Sequence, residues 1–299
     1  MNKYVVIQRE GNHLGLMSYV ITNLGAINKF DNKGYIPVID MMNVKNQYIS
    51  DKQIGKVNTW EYFFEQPAGI SMEDIKEKEY IIFDKVVRNR PNDSIKFFLN
   101  KKINYKWRNI AKKYLKLKPE IEELINKHYS NYFKKGDKVL GVLARGTDYV
   151  ALKPFRHPVQ PTVDQMIAKV DEVFNKYKYD KIFLATEDSN IYDVFRKKYG
   201  NKLITHVQKR YSINKKMFLS EIEDKDVYKK GLNYLISIVL LSKCNAFVGC
   251  VTSGTVAVQL FNPHYEYEYY FNLGRYGMPK FMKYPVKQKW KNNNNEVVR

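Results

Sequence analysis

Short apolar runs recur along the chain, each followed by a polar or glycine-containing turn and then by a stretch with helical apolar spacing. Tyr4–Gln8 leads into a turn held between Gly11 and Gly15 and a helix-patterned segment from about Leu16 to Phe30. Gly34 and Pro37 then frame a second run, Tyr35–Asp40. This is a βαβ unit with a glycine turn at its first crossover. A weaker strand follows at Tyr80–Phe83, and the sequence is mainly helical from there to Tyr132. Lys134-Lys135-Gly136-Asp137 reads as a boundary loop, after which a second series begins. It runs through strand Val139–Ala144, a loop at 145–161, a helix from Thr162 (its N-cap) to Tyr177, strand Lys181–Ala185 and helix Ser189–Tyr199. Strand Leu203–His206, a long loop, helix Lys229–Ser242, strand Ala246–Gly249 and helix Ser253–Phe261 complete it. Strands that alternate with helices build mainly parallel sheet. The pattern predicts two α/β units, residues 1–133 and 134–299, with a cleft between them.

Composition suits such a packed chain. Of 299 residues, 44% are hydrophobic and 14% aromatic, which sets it apart from a disordered polypeptide. The apolar run near the N-terminus is too short for a signal peptide, and no segment approaches the roughly 18 apolar residues of a membrane span. The two cysteines, Cys244 and Cys250, fit no zinc pattern and read as reduced, buried thiols of a cytoplasmic protein. Charge is the strongest compositional signal: 51 basic against 31 acidic residues, a net +20. Between Lys96 and Lys118 nine Lys and Arg residues occur without an acid, mixed with Phe97, Phe98, Tyr105, Trp107 and Tyr114. The segment reads as a lysine-rich solvated helix face, or as a contact for an anionic membrane or nucleic acid. No RNA- or DNA-binding motif accompanies it, so no nucleic-acid partner is expected.

Several familiar chemistries are excluded by their missing motifs. Gly11-x-x-x-Gly15 is not the dinucleotide fingerprint, and the chain holds no phosphate-binding G-x-x-x-x-G-K-[ST] loop, no H-E-x-x-H and no G-x-S-x-G elbow. Asp224-Lys225-Asp226 is nominally the D-x-D of metal-dependent sugar transferases, but it lies in a charged stretch with no buried strand before it, so no metal site is expected. Parallel sheets bind ligands outside the carboxyl ends of their strands. That rim collects Arg145–His157, Thr186-Glu187-Asp188 and Gly249–Thr255. Arg145 at a strand end offers a planar fork suited to phosphate, although an Arg145–Asp148 ion pair that shapes the turn explains the same residues. Thr252, Ser253, Gly254 and Thr255 at a helix start form a natural phosphate seat. Arg145 and Asp148 are the candidate catalytic pair. His157, Glu187, Asp188 and the 252–255 segment are the candidate ligand contacts.

With these segments assembled, the chain resembles the α1,6-fucosyltransferase family (core and Nod-factor fucosyltransferases) of the fucosyltransferase superfamily. The stretch GVLARGTDYVALKPFRHPVQPTVDQM is similar to that family's strand, R-R-T-D, loop and H-P segment. IFLATEDSNI, GLNYLISIVLLSKCNAFVGCVTSGTVAVQLF and YEYYFNLG follow in the family's order, and Gly11–Asp40 with WEYFFEQP resembles its opening domain. The resemblance implies an α/β, GT-B-like fold with two Rossmann-like domains facing a central cleft. It implies an inverting, metal-independent transferase without a cofactor, whose nucleotide-sugar donor, GDP-fucose, sits in the C-terminal half. The acceptor would be a hydroxyl of a glycan or lipid-linked oligosaccharide in surface polysaccharide synthesis, and the basic face at 96–118 would then dock on substrate or peripherally on the inner face of an anionic membrane. Arg145 falls on the arginine that holds the donor diphosphate, and Thr252 and Ser253 on hydroxyls near its phosphates. Four positions depart from the pattern: Leu143 replaces a histidine, Gly146 a second arginine, Lys153 a glutamate proposed to assist the acceptor, and Ser237 an acid implicated in guanine recognition. The proton acceptor would then be Asp148, Glu187, Asp188 or His157, or Glu61 or Glu65 reaching across the cleft. The same losses motivate the alternative of a non-catalytic sugar-nucleotide or glycan-binding homologue.

Overall fold

The computed structural model describes residues 2–11, 14–212, 226–262 and 264–278. Two parallel sheets organise them. The first has the order β2-β1-β3, from β1 (Lys3–Gln8), β2 (Tyr35–Asp40) and β3 (Tyr80–Phe83), with helix α1 (Leu16–Asp31) as the crossover. Three helices follow: α2 (Ile95–Leu99), α3 (Lys101–Tyr114) and α4 (Pro119–Tyr132). The second sheet has the order β6-β5-β4-β7-β8, built from β4 (Val139–Leu143), β5 (Lys181–Ala185), β6 (Leu203–Ile204), β7 (Ala246–Cys250) and β8 (Tyr267–Phe271). Between its strands run α5 (Thr147–Leu152), α6 (Val163–Tyr177), α7 (Ser189–Tyr199), α8 (Val227–Ser242) and α9 (Ser253–Phe261).

Local chemistry accounts for these elements. β4 and β7 are buried along their whole length, as strands covered by helices on both faces must be, and both read as continuous apolar runs. Gly141 lets α8 approach β4 closely, since a Cβ there would stand 3.1 Å from Cys244 Sγ and 3.2 Å from Leu241 Cδ2. Thr162 and Gln165 form a capping box on α6, and Asp188 caps α7. Both cysteines are free and buried in this packing. Among the described residues no helix is long and apolar enough to cross a membrane.

The structure departs from the sequence reading at three places. The loop at 145–161 contains α5, whose six residues are too few for an apolar period to register. β6 stops at Ile204 rather than His206. Tyr267–Phe271, left without an element by the sequence, is the edge strand of the second sheet beside β7. Asp224, Lys225 and the C-terminal segment KWKNNNNEVVR lie outside the described residues, while Asp226 caps α8 by accepting from Lys229 N at 2.8 Å.

The basic-aromatic segment folds mainly into α3 and contributes to the core. Phe97, Phe98, Trp107 and Tyr114 are buried, and only Tyr105 of the five aromatics is largely exposed, at 67%. Arg108 donates from Nε to Gln259 O at 2.8 Å and from Nη2 to Gln259 Oε1 at 2.7 Å, which ties α3 to α9. Gln259 in turn donates to Glu268 Oε2 on β8 at 2.8 Å.

Candidate active site

In the second sheet the chain proceeds outward from β4 through β5 to β6, then returns to β7 on the other side of β4. The crevice therefore opens between the carboxyl ends of β4 and β7, where connections leave in opposite directions. Arg145 follows β4 at that point, and Thr252 and Ser253 follow β7.

The turn after β4 is tightly built. Thr147 has φ of +44°, a conformation that β-branched residues rarely adopt, so the turn stores strain. Asp188 holds it in place. Its Oδ2 accepts from Thr147 N at 2.9 Å while its Oδ1 accepts from Ile191 N at 3.0 Å at the start of α7. Asp188 is fully buried and its own N–H donates to Thr186 Oγ1 at 3.1 Å. It anchors the loop from behind and does not line the cleft.

Arg145 projects forward from this turn. Its Nη2 donates to Asp148 Oδ1 at 3.2 Å and Oδ2 at 3.4 Å, and its Nε lies 3.8 Å from Glu187 Oε1. The guanidinium carbon stands 4.4 Å from the centre of the Tyr149 ring, which in turn meets His157 edge to face at 5.1 Å. Nε is buried with no hydrogen-bond partner. Burial alone would lower the Arg145 pKa, but Glu187 and then Asp148 outweigh it and hold the group fully cationic. Burial pushes the Glu187 carboxyl above its ordinary range, against the pull of Arg145. Glu187 Oε1 also accepts from Gly146 N at 3.2 Å and Thr147 Oγ1 at 3.1 Å. Burial lowers the His157 pKa, with Asp93 opposing.

The facing edge is the N-terminus of α9. Thr252 is its N-cap and accepts from Thr255 N at 3.3 Å. Thr255 is fully buried and bonded to Thr252 and to the Cys250 carbonyl, so it holds the turn together and does not reach the cleft. The first N–H groups of α9 have no intrahelical acceptor and face the region beside Arg145, with the positive end of the helix dipole behind them. Gly254 is needed here because a Cβ would stand 2.6 Å from the Tyr234 hydroxyl. Burial pushes that hydroxyl up to about 12.

Between these edges and the first sheet lies a cleft of about 860 Å³. Arg145, Asp148, His157, Glu187, Thr252, Ser253 and Gly254 line it together, and Asp188 and Thr255 stand behind its wall. Neither Glu61 nor Glu65 reaches it; Glu61 instead accepts from Gln66 Nε2 at 2.7 Å. The opposite wall comes from the start of α1 and the loops after β2 and β3. Tyr48 accepts from Leu16 N at 2.7 Å and fixes the start of α1. Asp93 from the N-terminal side and Arg275 from the C-terminal side pair at 3.0 Å at the cleft margin, and Arg275 also donates to Arg156 O at 2.8 Å. Sequence reading missed Tyr48, Asp93, Tyr149, Tyr234 and Arg275, because isolated aromatic and charged residues in loops or helix faces have no local signature. Among the described residues no group of three or more His, Cys, Asp or Glu could hold a metal ion.

The fold is α/β and GT-B-like, and solved structures similar to it in shape include fucosyltransferases. A NodZ α1,6-fucosyltransferase soaked with GDP-fucose matches over 93% of this chain and 98% of its own, with a TM-score of 0.58 at 18% identity. POFUT1 in complex with GDP matches over 91% and 99%, with a TM-score of 0.53 at 13% identity. A variant of Arabidopsis thaliana FUT1 in complex with GDP matches over 92% and 71%, at 0.54 and 11%. No protein-family model matches the chain, and no curated protein matches it by sequence. The chain thus has a fucosyltransferase-like fold at a sequence distance where shape is what the likeness establishes.

Proposed function

We propose that this protein is an inverting glycosyltransferase that moves a sugar, fucose from GDP-fucose, to a hydroxyl of a glycan acceptor, with its domains dividing near 133/134. The observation that carries the reading is the position of Arg145 beside the N-terminus of α9 at the sheet's switch point, with a buried Nε that makes no hydrogen bond within the protein. Arg145, the hydroxyls of Thr252 and Ser253, and the first N–H groups of α9 line one cleft and together supply the donors a diphosphate needs. The GDP and GDP-fucose complexes of the similarly folded proteins support the choice of donor.

In the reaction, the acceptor oxygen forms a bond to the sugar's anomeric carbon as the bond from that carbon to the diphosphate oxygen breaks. The electron pair leaves with the diphosphate, where Arg145 and the α9 N-terminus stabilise it without a metal ion. The acceptor proton passes to a carboxylate of the cleft; Asp93, Asp148, Glu187 and Asp226 are those that line it. Removing a donor aimed at developing charge lowers catalysis by about 10²–10³. Arg145→Lys should lower GDP release in the presence of GDP-fucose and acceptor by about that factor.

A second reading has its own observation. Lys153 stands exposed at the end of α5 in a left-handed conformation, outside the cleft, so the position offers no carboxylate. A sugar-nucleotide-binding homologue without transfer activity fits that fact. Release of GDP that requires the acceptor establishes the transferase; tight GDP-fucose binding with no acceptor-dependent release establishes the binding homologue.

A further inference from the structure

The cleft wall beyond Glu187 holds a hydrogen-bonded chain that the donor-phosphate site does not use. His206 lies just past β6, and Asn233 faces the cleft from α8. Asn233 Oδ1 is 3.0 Å from His206 Nε2, and His206 Nδ1 is 3.2 Å from the Tyr132 hydroxyl on α4. A carboxamide oxygen only accepts, so Nε2 carries the proton and Nδ1 accepts from Tyr132. Burial lowers the His206 pKa, which keeps the ring neutral in this tautomer. With Oδ1 engaged, the amide presents its NH2 group to the cleft and cannot turn over without losing its bond to His206.

The location fits one end of an extended ligand. β6 lies two strands from β4, roughly 9–10 Å at the usual strand spacing. The anion seat lies on the opposite side of Arg145, past β7. A nucleoside diphosphate seated there by its phosphates extends across the end of β5 toward Asn233. Val207, 80% exposed on the same rim, adds apolar surface for the face of a ring.

We propose that Asn233 reads the nucleobase: its Nδ2 donates to a ring keto oxygen, O6 in guanine, and opposes a ring bearing an amino group there. Tyr132 and His206 are positioning residues that fix which end of the amide faces the ligand. This inference rests on the nucleotide reading above and adds the residue that selects the base. An amino group placed against Nδ2 would set two donors against each other, the kind of mismatch that rejects analogues strongly.

The test compares GDP with 2,6-diaminopurine riboside diphosphate, in which an amino group replaces O6 and N1 loses its proton. Calorimetric titration of the wild-type chain should show GDP preferred by more than tenfold. Asn233→Asp, which offers only acceptors, should reverse the preference, and Asn233→Ala should bring it to within about threefold. Tyr132→Phe should narrow the preference while binding of inorganic pyrophosphate stays within twofold, a split that a merely structural defect would not produce. Equal binding of the two nucleotides by the wild type, or an unchanged preference in both Asn233 variants, overturns the proposal while leaving the nucleotide site standing. Wild-type protein that binds neither nucleotide overturns the nucleotide reading itself, and this inference with it.

Discussion

Asp188 occupies the space that a side chain on Gly146 would need: a Cβ at 146 would stand 2.7 Å from Asp188 Cγ and 2.8 Å from its Cβ. The glycine after Arg145 is thus the counterpart of a buried carboxylate that caps α7 and holds Thr147. Gly146→Ala should destabilise the protein by about 1–3 kcal/mol through overpacking, read by urea denaturation. A change below about 0.5 kcal/mol would mean that Asp188 moves freely.

The neighbouring acid titrates in the opposite sense from most carboxylates. Burial raises the Glu187 pKa above the ordinary carboxyl range, so the folded state binds this proton more tightly than the unfolded chain. Its stabilising contribution is complete below the unfolded pKa and is lost as pH rises through the folded pKa. Glu187→Gln keeps an acceptor for Gly146 N and Thr147 Oγ1 without the charge. It should therefore be more stable than wild type at pH 7–8, with the gap narrowing at lower pH and closing below about pH 4.5. A gap that widens on acidification would contradict this environment for Glu187.

Gln259 joins three elements by accepting from Arg108 and donating to Glu268. Gln259→Ala leaves a buried carboxylate and a guanidinium short of partners, which should cost about 2–3 kcal/mol in denaturant unfolding. GDP affinity of the folded fraction should be unchanged, since Gln259 lies outside the cleft.

Lys101, Lys102, Lys106 and Lys112 are exposed on α3, with Ile103 and Tyr105 also exposed among them. If this face docks on an anionic membrane, replacing the four lysines with glutamine should sharply weaken binding to phosphatidylserine-containing vesicles, as each basic residue near such a surface contributes about 1 kcal/mol. Unchanged vesicle binding would leave the face as a solvated helix surface.

What could be read from the sequence follows from physical range. The β1–α1–β2 unit and the run from α6 to α9 were legible because apolar periodicity and a cap such as Thr162 are local signals. Arg145, Glu187 and Thr252 could be gathered on one rim because parallel topology alone places strand ends together. The pairing of Asp93 with Arg275 could not, since 182 positions separate them and only the fold brings them within 3.0 Å. The aromatic residues of 96–118 are a related case: interleaved with lysines in the sequence, Phe97, Phe98, Trp107 and Tyr114 all turn inward in the fold. Asp188 and Thr255 carry the right chemistry for ligand contact, yet their hydrogen bonds are used to hold the two turns that face the cleft.

The measurement that bears most directly on the central claim is a thermal-unfolding comparison of wild type and Arg145→Ala with GDP, UDP, CDP and TDP. At a hundred times Kd a ligand of the folded state stabilises it by about 2.7 kcal/mol. The account predicts that GDP stabilises the wild type by that amount and leaves Arg145→Ala unchanged. No stabilisation by any diphosphate, or equal stabilisation of both proteins, would contradict a nucleotide site built on Arg145.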